Sequence, residues 1–102
     1  MNRIPLAAFA ALAACASTDP PESQVAAARA MVAQARPVAQ TDAPSELAAA
    51  QEKLARAETA MQRGHHAHAR LLAEQAEADA RLAWAASERA RMQRALREEV
   101  QK

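Results

Sequence analysis

One cysteine, one glycine and two aromatic residues, Phe9 and Trp84, are all that this chain of 102 residues has of those types. A lone cysteine, Cys15, rules out an intramolecular disulfide. A lone glycine, Gly64, leaves no glycine-rich loop to cradle a phosphate or a dinucleotide. Neither sign of charge dominates, with 13 Lys and Arg against 12 Asp and Glu. That balance gives no electrostatic footprint for nucleic acid or anionic lipid. Arg89, Arg91, Arg94 and Arg97 are interleaved with Glu88, Glu98 and Glu99, and on a helix they fan around several faces as a solvated, ion-paired surface. No apolar run reaches the roughly 20 residues that span a bilayer. No nucleophile–base pair or carboxylate dyad can be assembled, so neither an enzyme nor a cofactor is expected.

The longest apolar run, Ile4 to Ala14, follows the single charge of Arg3 and ends in small residues before Cys15. That is the layout of a secretory signal. Leu12-Ala13-Ala14-Cys15 resembles the lipobox of bacterial lipoproteins. The resemblance implies cleavage between Ala14 and Cys15, acylation of Cys15, and a protein anchored to a membrane by lipid rather than spanning it. An ordinary secretory peptide cut within Ala11-Leu12-Ala13, leaving a free thiol, is the other reading. By the same resemblance, Ala16 after the cysteine, where aspartate would favour the inner membrane, implies the outer membrane, with the protein facing the periplasm. Loss of Arg3 with the signal leaves 12 basic and 12 acidic side chains.

Three segments follow: a signal peptide over 1–14, the lipidated cysteine and a flexible tether over 15–22, and an alanine-rich helical domain over 23–102. Pro20-Pro21 in the tether resist regular structure. Val25, Ala28, Val32 and Ala35 recur at steps of three and four, which predicts a first helix from about Ser23 to Arg36, stopped by Pro37. Val38 to Ala43 then reads as a connector, with Asp42 a plausible N-cap. A second helix runs from about Pro44 to Arg63, its seam formed by Leu47, Leu54 and Met61 at intervals of seven with Ala50 and Ala57 between. Gly64 suits the left-handed turn that ends it. A third runs unbroken from about His66 to Val100, with Leu71, Leu72, Ala76, Leu82, Ala83, Ala86, Ala90, Leu96 and Val100 gathered on one side. At 1.5 Å per residue the third helix is roughly 50 Å long against about 30 Å for the second, so its end overhangs unless the first helix covers it. The expected fold is all-α: a small antiparallel three-helix bundle, a long helical hairpin plus a shorter N-terminal helix. A two-helix hairpin with a loose first helix is the alternative.

Ala43-Pro44-Ser45-Glu46-Leu47, Ala50, Glu52-Lys53-Leu54, Gly64, Ala69 to Ala76 and Asp79 to Ala83 stand in an order that resembles the alanine-rich envelope domain of the bacterial domain-of-unknown-function family numbered 4398. The likeness runs from about Gln24 to Ala90. It implies an exported protein or lipoprotein of the cell envelope and implies no reaction. After the glycine the family usually has an acidic residue and an aromatic, whereas His65 and His66 stand here. By that resemblance His66 fills the aromatic's packing slot, facing Ala69.

Three sites remain to be weighed. His65, His66 and His68 have ligand chemistry, and His65 and His68 could share a face, but His66 points elsewhere and no fourth ligand is evident. Solvated or packed turn histidines are the simpler expectation, with no metal. Asp79 falls on the apolar side of the third helix, where a carboxylate is costly unless paired. A structural ion pair with Arg29, or with Lys53 or Arg56, is expected to align the helices. Trp84 sits on the polar side, either covering alkyl stems or touching a partner. Glu52–Arg56 and Glu77–Arg81 have the spacing of helical ion pairs. The function read from all this is a lipid-anchored structural or interaction module whose partner is an envelope protein or itself. A small metal or ligand carrier using the histidine turn is the alternative.

Overall fold

The computed structural model of the protein describes residues 20–102. The signal segment, Cys15 and the tether as far as Asp19 lie outside the described residues. Three α-helices and no strand are present among the described residues: α1 (Glu22–Asp42), α2 (Pro44–Gln62) and α3 (His66–Gln101). They pack pairwise into an all-α three-helix bundle. Among the described residues no helix is long and apolar enough to cross a membrane.

Pro37 does not stop the first helix. It lies inside α1, which runs on to Asp42 and at 21 residues is longer than α2 at 19. A proline here removes one backbone hydrogen bond, and its ring crowds the preceding turn. Both Pro37 and Ala33, whose carbonyl loses its partner, face solvent, so water can replace that bond. The buried stripe of Val25, Ala28, Val32 and Ala35 meanwhile continues in step through Ala39 to Ala43. Tertiary packing of that stripe outweighs the local penalty. Val38 to Asp42 are consequently helical, and Asp42 is the last residue of α1 rather than an N-cap.

The packed region also reaches further towards the N-terminus than the tether reading allows. Pro21 is buried, and its carbonyl accepts the Val25 N–H at 3.0 Å in the first helical bond.

Ala43 alone separates α1 from α2 and is itself buried. The chain reverses there, so that Val25 and Ala28 meet Ala57 and Ala60, while Val32 to Ala39 meet Leu47 and Ala50. Pro44 occupies the first turn of α2, where its missing N–H has no partner to lose. Gly64 has φ +77, and the turn around it is a Schellman motif. His65 N–H bonds to the Ala60 carbonyl at 2.9 Å and Gly64 N–H to the Met61 carbonyl at 3.1 Å.

The face of α3 that meets the other two helices consists of Ala69, Leu72, Ala73, Ala76, Ala80, Ala83 and Ser87. Leu71 and Leu82, expected on the buried side, point to solvent instead. Alanine permits close approach of the helix backbones, and the bundle packs through that narrow surface. Buried Ser87 satisfies its hydroxyl by donating to the Ala83 carbonyl at 2.7 Å. Because α1 runs past Pro37, it covers α3 well beyond its midpoint. Only from Arg91 onward is every residue of α3 exposed.

Candidate functional site

Three ion pairs cross between helices among the described residues. Lys53 Nζ on α2 lies 2.7 Å from Asp79 Oδ2 on α3, and that oxygen is shielded from solvent. The geometry falls outside a directed hydrogen bond, so the pair is chiefly Coulombic. Arg29 is not the partner of Asp79. Its guanidinium donates to Glu58 Oε1 at 3.0 and 3.2 Å, because α1 turns that face towards α2. Of the three cations weighed from sequence, Lys53 is the one that the register brings to Asp79. Arg56–Glu52 and Arg81–Glu77 form within their own helices. Such exposed pairs contribute a few tenths of a kcal/mol each.

Arg94 and Asp42 close the distal end. The Arg94 guanidinium donates to both carboxylate oxygens, at 2.7 and 3.2 Å, tying the end of α1 to α3. Hydrogen bonding from Arg94 holds the Asp42 carboxyl below its ordinary carboxylate value, and the same contact raises Arg94. A carboxylate with a lowered folded pKa stabilises the fold above the unfolded value, and that contribution is lost as pH falls through the folded one. The urea-midpoint gap between the parent chain and Asp42→Asn should therefore be constant above about pH 5 and narrow below about pH 4. A gap that does not change with pH would mean that the pair adds nothing. The extension of α1 past Pro37 brings these two residues together, so a helix that stops at Pro37 gives no sign of the pairing.

At the proximal end, an open groove of about 450 Å³ lies between α2 and the start of α3, lined by Glu52, Arg56, Thr59, Arg63, His65 and His68 among others. His65 and His68 do share this groove, both exposed, while His66 is half-buried beside buried Ala69. Among the described residues no group of three or more His, Cys, Asp or Glu side chains is placed to hold a metal ion. Two arginines also line the groove, and their charge disfavours a second cation. Trp84 is half-buried and packs against the cluster formed by Val32, Ala35, Ala80 and Ala83.

The exposed large apolar side chains among the described residues are Leu71, Leu82, Met92, Leu96 and Val100, all on α3. Met92, Leu96 and Val100 belong to the stretch, from Arg91 onward, in which every residue of α3 is exposed. This exposed apolar surface on α3 is the candidate interaction site, and it goes unseen where Leu71, Leu82, Leu96 and Val100 are read onto the buried side.

Residues 23–98 match the family described as Domain of unknown function (DUF4398). No curated protein and no solved structure matches the chain.

Proposed function

The chain belongs to the DUF4398 family, and from that premise we propose that it is a lipid-anchored helical lipoprotein of the bacterial cell envelope. It acts as a non-catalytic structural or protein-interaction module on the periplasmic side of the outer membrane. The observation that carries the interaction role is the apolar surface left uncovered on α3. Burying a Leu or Met side chain stabilises by about 1.5–3 kcal/mol, and a bundle that served only itself would gain nothing by displaying several on one helix. The anchoring rests on the Leu12-Ala13-Ala14-Cys15 sequence, and the outer-membrane address on Ala16. A carrier role for the histidine groove is less well supported, because Arg56 and Arg63 stand beside the imidazoles.

Cys15→Ala tests the anchor. The parent chain should take up labelled palmitate and sediment with membranes, and the variant should do neither, because two or three acyl chains hold far more firmly than none. Equal labelling of both chains would end the lipoprotein reading. The interaction role is tested by photo-crosslinking in cells from position 82 on α3, where a discrete protein adduct is expected.

A further inference from the structure

Leu71, Gln75, Ala78, Leu82, Ala85, Arg89, Met92 and Leu96 follow one another along α3 at steps alternating between four and three, and every one of them is exposed. At about 100° per residue, seven of the eight, all but Gln75, fall within an arc of about 80°. Buried Ala76 and Ala83 lie on the far side of the same helix. The five large side chains are 51% (Leu71), 57% (Leu82), 67% (Met92), 66% (Leu96) and 84% (Val100) exposed, and Val100 extends the same face. α3 therefore carries two seams: one of alanines packed on α1 and α2, and a second of coiled-coil spacing that no other helix among the described residues covers.

We infer that the second seam pairs with the same seam of a second copy of this chain, in antiparallel orientation. This rests on the reading of the protein as an interaction module and names its partner. Charge selects the orientation. In a parallel, in-register pair Arg89 would meet the second copy's Arg89 in the seam, with like charges directly opposed. In the antiparallel register that sets Leu71 against the second copy's Leu96, Leu82 meets Ala85, Gln75 meets Met92, and Arg89 lies over Ala78. Arg81 then stands beside the second copy's Glu88, and two-fold symmetry makes that attraction twice. Large residues oppose small ones through the middle, which lets the helices approach closely. The Arg89 stem covers Ala78 while its charged head reaches water. The shared stretch, from Leu71 to Leu96 in each copy, is about 39 Å long.

Full-length chains carrying Leu71→Cys and, separately, Leu96→Cys are purified in detergent, then oxidised alone and mixed, with the parent chain and its single Cys15 as control. Both replaced residues are exposed, so neither change removes a core contact. The mixture should give a product of doubled mass that neither variant gives alone, and adding Leu82→Glu to both chains should abolish it. Self-linkage of either variant alone would establish a parallel pair and overturn the inference. If the mixture gives no product, the photo-crosslink from position 82 in cells separates the two readings. An adduct with a different envelope protein overturns self-pairing and leaves the interaction module standing, whereas no adduct of any kind overturns both.

Discussion

Ala76→Asp is expected to unfold the domain. Ala76 has no exposed surface and lies where the three helices meet, against Val25, Ala28, Ala57 and Ala60. The cluster it belongs to is built of apolar side chains, which offer a carboxylate no partner. An unpaired buried charge costs about 3–5 kcal/mol, and the extra volume forces apart backbones that approach through alanine. A domain of roughly 80 residues has about 4–12 kcal/mol of stability in all, and one with so few large core side chains belongs near the lower figure. The loss should appear as a collapse of the helical circular dichroism at room temperature, or as a urea midpoint too low to measure. In dilute solution, where chains do not pair, Ala78→Asp, two residues further on and exposed, should shift the midpoint by no more than about 0.5 kcal/mol. Similar behaviour of the two variants would mean that the alanine seam is not the core.

The comparison of Ala76 with Ala78 also explains which parts of the fold were legible in the sequence. The bounds of α2 and α3 could be read, because Pro44 and Gly64 punctuate the chain by local chemistry and no breaker follows Gly64. The Leu47–Leu54–Met61 seam was legible for a similar reason, since those large residues recur every seven positions. On α3 the same habit misled in part: Leu72, Ala76 and Ala83 lie on the packed face, but Leu71, Leu82, Leu96 and Val100, read onto the same side, do not. The buried face is written in alanine at positions 69, 73, 76, 80 and 83, and in a chain where alanine is everywhere such a stripe has no contrast. Pro37 shows the opposite error. A strong local signal reads as a boundary although Ala39 continues the stripe in step. The partner of Asp79 could be narrowed to three cations but not chosen, because the choice depends on how far α2 slides along α3. The exposed seam that follows from this packing could be seen only once the core was known to lie on the other side.

Leu47→Ala and Leu82→Ala remove the same atoms from the same residue type, and their effects should differ by about 3 kcal/mol. Leu47 is 5% exposed, at the turn of the hairpin, where it packs with Val32, Ala35, Ala39 and Ala50. Truncating a buried leucine typically costs 2–5 kcal/mol, as lost transfer energy plus an unfilled cavity. The buried residues of its cluster are otherwise Val32 and alanines, whose short side chains cannot reach in to fill the space. A cost of about 3 kcal/mol is expected, equivalent to a fall in Tm on the order of 15 °C for a domain of this size. Leu82 has no such neighbours in the bundle, and alanine is the better helix former by a few tenths of a kcal/mol. In dilute solution Leu82→Ala should leave Tm unchanged or raise it slightly. If self-pairing buries Leu82, the parent chain should gain stability as protein concentration rises, by mass action, and Leu82→Ala should lose that gain. Leu47→Ala should keep the gain while melting lower at every concentration. Thermal unfolding of the three chains over a wide concentration range therefore separates the two seams of α3: one determines whether the bundle folds, the other whether two bundles meet.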